Sequence, residues 1–79
     1  MKTLAEATEI AKKVYPEIDT YEEDTLTFTF YNSKDDDSFG GTDPVVVYKE
    51  DGKVISLSAY LCEDVKHGER VTDILPIPN

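Results

Sequence analysis

The chain has no tryptophan, one cysteine, one histidine and one methionine in 79 residues, and only eight basic residues against 17 acidic ones. Each shortage closes off a class of function. The single cysteine, Cys62, cannot form an internal disulfide. With His67 as the lone histidine, no His/Cys metal cluster can be assembled from the chain. A lone thiol fits a reducing compartment, so the expected location is cytoplasmic. No apolar run approaches the roughly 18 residues of a membrane span, and Met1-Lys2-Thr3 leads into a polar helix rather than an apolar signal core. No membrane association is expected. The shortage of positive charge also argues against nucleic acid and anionic lipid as partners.

What is present describes one small globular domain. A content of 39% hydrophobic residues, spread over Val, Ile, Leu, Phe and Tyr, is enough to fold. A chain this short has interior for one core, so residues 1–79 are read as a single domain. The formal net charge is −9, and its location says more than its size. Between Glu17 and Asp43 there are nine acids and Lys34 alone, a charge of −8, which leaves −1 for everything else. A field concentrated in one stretch speeds encounter with a basic partner; the same acids also keep a small domain soluble.

Thr3-Leu4-Ala5-Glu6 is a capping-box pattern, and Leu4, Ala7, Ile10, Ala11 and Val14 recur at helical spacing. The pattern predicts an amphipathic helix over residues 3–15, packed by Leu4, Ile10 and Val14 and stopped at Tyr15 before Pro16. After an acidic connector, residues 26–31 alternate strictly, so Leu26, Phe28 and Phe30 are expected to face the core. The Asp-, Ser- and Gly-dense stretch 32–44 reads as a long surface loop. Residues 45–48 and 54–61 read as two more strands. A three-residue loop Glu50-Asp51-Gly52, with Gly52 left-handed, would set Val47 opposite Ile55 and collect Val45, Val47, Ile55, Leu57, Ala59 and Leu61 on one apolar face. Residues 71–75 read as a last strand, halted by Pro76 and Pro78. The fold class expected is therefore α+β, with one N-terminal helix packed across a four-stranded antiparallel meander.

The candidate chemistry is thin. Cys62 and His67 stand five residues apart, but a nucleophile pair also needs an orienting group and an oxyanion hole, and nothing in the chain marks either. Asp35, Asp37 and Gly40 fit the calcium-loop pattern, whereas Phe39 and Val46 fall on ligand positions and break it. Gly40-Gly41 follows three aspartates that would repel a phosphate, and a sheet with one helix offers no deep cleft for paired carboxylates. No enzymatic activity, cofactor or metal site is expected.

What remains is binding. In the derived register Thr27, Thr29, Tyr31, Val46, Tyr48, Val54, Ser56, Ser58 and Tyr60 share a second sheet face with no element left to cover it. A surface rich in Tyr, Ser and Thr resembles protein-binding patches. The candidate partner-binding residues are Tyr31, Asn32, Asp35, Asp36, Asp37, Asp43, Tyr48 and Tyr60. They serve two hypotheses: the acidic loop meets a basic protein, or the tyrosine face makes a homodimer.

The order Phe28-Thr29-Phe30-Tyr31-Asn32-Ser33-Lys34, then Gly40-Gly41-Thr42-Asp43-Pro44-Val45-Val46-Val47, then Lys49-Glu50-Asp51-Gly52-Lys53-Val54 resembles the YrhB/immunity protein 35 family over residues 28–57. In that family an aromatic strand ends in Tyr-Asn-Ser, a Gly-Asn-x-Pro segment follows, and an Ile/Val strand runs into Lys-x-x-Gly. This chain has Gly41-Thr42-Asp43 where Gly-Asn is the rule. The resemblance implies a small non-enzymatic α+β protein of the kind that protects bacteria from polymorphic toxins, with a chaperone-like role also ascribed to members. A basic toxin is the partner it suggests. A structural or chaperone-like domain that self-associates through its sheet face is the alternative.

Overall fold

A computed structural model of the chain describes residues 1–33, 44–62 and 68–78. The elements are α1 (Leu4–Val14), β1 (Thr20–Glu23), β2 (Thr27–Tyr31), β3 (Val45–Tyr48), β4 (Val54–Ser56), α2 (Leu57–Cys62) and β5 (Leu75–Pro76). All strands pair antiparallel in one sheet of order β4-β3-β2-β1-β5, with α1 across one face. The α+β plan is that read from the sequence. Among the described residues there are five strands rather than the four expected: β1 to β4 form a meander, and β5 returns to pair with β1.

Helix α1 starts at a reciprocal cap. The Thr3 hydroxyl accepts the Glu6 N–H at 3.2 Å, and the Glu6 carboxylate accepts the Thr3 N–H at 3.0 Å. That backbone bond holds the Glu6 carboxyl below its ordinary range. Ala7 and Ala11 are wholly buried, so the helix sits close on the sheet, with Leu4 and Ile10 packed at its flanks. Val14 does not join them; it is 58% exposed. The chain leaves helical geometry at Tyr15 (φ −141°, ψ 85°), and that residue is the one buried.

Under α1 the cross-strand pairs Phe28↔Val47, Phe30↔Val45, Tyr21↔Phe30 and Val47↔Val54 line one face. Tyr21, Phe28 and Phe30 form an aromatic cluster with centroids 6.4–6.5 Å apart. Lys49 crosses the margin of this core, its ammonium 4.9 Å from the Phe28 ring and paired with Glu23.

The structure corrects four expectations. Thr20-Tyr21-Glu22-Glu23, read as connector, is a strand. The β3–β4 pairing is Val47↔Val54 and Val46↔Ile55, one residue from the expected register. The turn is four residues long, with Gly52 N–H to Tyr48 O at 2.9 Å and Gly52 at φ 77° as anticipated. Because the pleat has period two, that slip turns Val54 to the core and Ile55 to the opposite face. The strand expected over 54–61 ends at Ser56, whose hydroxyl caps α2 by accepting the Ala59 N–H at 3.1 Å. The last strand is Leu75–Pro76, not 71–75, and Pro76 is accommodated because β5 is an edge strand.

Helix α2 also removes the bare second face. Thr27, Thr29 and Val46 are buried, and Tyr60 is only 7% exposed. The Tyr60 ring stands edge-to-face with Tyr48 at 6.2 Å.

Candidate functional site

Strand β1 and its flanks carry five of the acids that make the charge asymmetry, and four of them are held by specific donors of the same chain. Asp19 accepts the Ser33 N–H at 2.8 Å and the Ser33 hydroxyl at 2.6 Å. Glu22 accepts the Tyr31 hydroxyl at 3.2 Å and faces the Arg70 guanidinium at 3.4 Å. Glu23 is paired with the buried Lys49. Asp24 turns the β1–β2 hairpin, its Oδ1 accepting the N–H groups of Leu26 and Thr27. Glu17 is exposed. At positions 19 and 24 the donors named here are amide and hydroxyl groups, which order the two carboxylates.

Asp24 joins three separate parts of the chain. Its Oδ2 accepts the Tyr60 hydroxyl of α2 at 2.8 Å, and that hydroxyl oxygen in turn accepts the Gly68 N–H at 3.3 Å. Thr25 bonds Glu69 through both backbone and hydroxyl. The approach is so close that a Cβ on Gly68 would lie 2.7 Å from Asp24 Oδ1 and 2.8 Å from the Leu26 nitrogen. Burial, then the bond to Asp24, raises the Tyr60 phenol above its ordinary value. Burial and the adjacent Glu22 push Tyr31 up to about 12. Phenols held protonated in this way donate hydrogen bonds but do not take up protons at neutral pH.

The candidate binding residues divide accordingly. Tyr31 and Asn32 lie at the C-terminal end of β2, beside the Asp19–Ser33 tether, and both are partly buried. Tyr48 stands between Tyr60 and a cavity of about 380 Å³ whose other walls include Met1, Leu26 and Glu50. Tyr60, expected on an open strand face, is instead on α2 and buried. Asp35, Asp36, Asp37 and Asp43 lie outside the described residues, as does His67; Cys62 is exposed at the end of α2. The sequence reading put Tyr48 and Tyr60 on one open sheet face; in the structure their rings touch, with Tyr60 reaching Tyr48 from α2.

It read residues 71–75 as a last strand, but not the exposure of the apolar side chains on that C-terminal arm. Residues 69–77 run antiparallel along β1, and Val71, Ile74 and Leu75 stand largely in solvent. Four of the seven residues 71–77 are apolar, Val71, Ile74, Leu75 and Ile77, and their spacing mixes i, i+3, i+4 with i, i+2, so periodicity does not tell which of them is covered.

Among the described residues no group of three or more His, Cys, Asp or Glu side chains could hold a metal ion, and no helix is long and apolar enough to cross a membrane. Compared with known proteins, the chain matches no family model, no curated protein and no solved structure.

Proposed function

We propose that the chain is a protein-binding domain that meets a basic partner through the acidic stretch 17–43, and that it acts in the cytoplasm as an immunity-type inhibitor of a bacterial toxin. The observation that carries the binding part is the charge of −8 in 27 residues, anchored at its middle by the Asp19–Ser33 bonds, so that the acids beyond Ser33 leave from a fixed point at the end of β2. The toxin part rests on the resemblance of residues 28–57 to the immunity family. An inhibitor of a basic nucleic-acid-attacking toxin needs dense negative charge on a small rigid support, and it needs no catalytic group of its own. The alternative, self-association through the tyrosine face, would require α2 to lift, because Thr29 and Val46 lie buried on that face.

The test is a triple substitution, Asp35→Asn, Asp36→Asn and Asp37→Asn, measured against the product of a toxin gene adjacent to this one in its native genome. Association should slow and its dependence on salt should flatten, with dissociation changed less. Unchanged association rate and salt slope would sink the electrostatic reading.

A further inference from the structure

Helix α2 spans β3 on the side of the sheet opposite α1. At one end of that strand the Leu57 N–H donates to Pro44 O at 2.8 Å; at the other, the Tyr60 ring meets Tyr48. Between these two points lies Val46, wholly buried, with Thr27 and Thr29 buried beside it on the same face of the sheet. The grip of α2 on that face is narrow. Of its six residues only Tyr60 is buried, and Leu61 is 65% exposed. Apolar burial therefore holds the helix chiefly through one ring.

The polar hold converges on the same side chain. The Tyr60 hydroxyl donates to Asp24 Oδ2 at 2.8 Å and accepts the Gly68 N–H at 3.3 Å. Neither the β1–β2 turn nor the main core leans on Tyr60 in return. Asp24 Oδ1 has its own bonds to the Leu26 and Thr27 N–H groups within the turn, and Tyr60 lies outside the cluster that packs under α1. Releasing Tyr60 thus frees the far end of α2 while the α1 core keeps its contacts. The near end stays, because Leu57 follows Ser56 of β4 without a loop.

We infer that α2 is a latch. It opens about the Ser56–Leu57 junction, with Tyr60 as its catch, while the α1 core stays folded, and its position sets whether the face of Thr27, Thr29 and Val46 is shut off or reachable. Elements held by few buried apolar contacts are the ones that open locally, below the free energy of global unfolding. The latch is independent of the acidic stretch, whose partner can be met with α2 closed.

The test places a thiol on each side of the sheet in a Cys62→Ser background. Val46→Cys puts it under α2, and Val47→Cys, one residue along β3, puts it under α1; both positions are wholly buried. Each whole chain is treated with an aromatic disulfide reagent, which reacts only with an accessible thiolate, at several low concentrations of denaturant. The thiol at 46 should be labelled about tenfold or more faster than that at 47, and with a shallower dependence on denaturant, because the opening that reveals it exposes less surface. Tyr60→Phe keeps the ring and removes the hydroxyl, and should speed labelling at 46 by about tenfold or more. It eases global unfolding as well, so the discriminating change is on the other side. Ala11→Gly loosens α1 and should speed labelling at 47 about fivefold or more while leaving the rate at 46 unchanged. If a cysteine variant fails to fold, Thr29→Cys and Val45→Cys, buried on the same two sides, make the same comparison. Equal labelling on the two sides with one steep denaturant dependence would overturn the latch, as would an Ala11→Gly effect equal at both positions. A rate at 46 that Tyr60→Phe leaves unchanged would overturn the role of Tyr60 as its catch and the proposal with it.

Discussion

On the α1 side of the sheet, Phe28, Phe30, Val45 and Val47 meet Ala7 and Ala11 of an 11-residue helix that enters through its own capping box. On the other side, Thr27, Thr29 and Val46 share their face with α2, a helix of six residues. Six residues do not hold a helix in water, so α2 depends on what ties it down. Its ties are the Ser56 cap, the Leu57 N–H to Pro44 O bond, the Tyr48–Tyr60 contact and the Tyr60–Asp24 bond. Apolar burial is non-directional and tolerates small displacements; a chain of directional bonds does not. The first face is therefore stable by area, the second by geometry.

The largest effect should come from the first face. Phe30→Ala removes a wholly buried ring from a core with few other large side chains, at an expected cost of about 3–5 kcal/mol in chemical denaturation. A much smaller loss would mean that the α1 face is not the main source of stability. On the second face Gly68→Ala should cost about 1–3 kcal/mol by forcing the β1–β2 turn and the arm apart. Its signature should be loss of the near-ultraviolet tyrosine signal from the Tyr48–Tyr60 pair while helix α1 persists. If Gly68→Ala unfolded the chain as thoroughly as Phe30→Ala, the two faces would be one cooperative unit.

The α1 face was largely legible in the sequence, because its signals are local. The capping box, the alternation of Phe28 and Phe30 and the valines of β3 each state their role within a few residues. The α2 face was not. Val54 and Ile55 are β-branched, whereas Leu57, Ala59 and Leu61 favour helix, and that change of composition after a capping serine marks the switch which alternation alone concealed. Strand β1 was hidden for a different reason: its acids look like solvated connector until Lys49, Ser33, Arg70 and Tyr60 arrive from elsewhere in the chain to meet them. Long-range partners of this kind have no sequence signature. The acids of β1, counted in the sequence only as part of an acidic stretch, thus also serve the fold, and the strand expected over 71–75 is a short edge strand with exposed apolar side chains before it.

The smallest expected effect, and the one that separates the faces by chemistry, is at alkaline pH. Tyr31 and Tyr60 both lie on the α2 side, and both phenols are raised from the ordinary value of 10.0, Tyr31 to about 12. Below pH 10 folded and unfolded chains alike keep these protons, and the contribution to stability is complete. Between 10 and 12 the unfolded chain releases its protons first, so it binds fewer than the folded chain and stability declines as pH rises, until the folded phenol itself ionises. The diagnostic quantity is the difference between the parent and Tyr31→Phe, which isolates this phenol from every other group. Denaturation midpoints taken from pH 9 to pH 12 should fall less steeply in the variant than in the parent, while the two coincide in slope near neutrality. Parallel slopes across the whole range would mean that Tyr31 ionises as freely in the folded chain as in the unfolded one, and that the Glu22–Tyr31 contact does not order the end of β2.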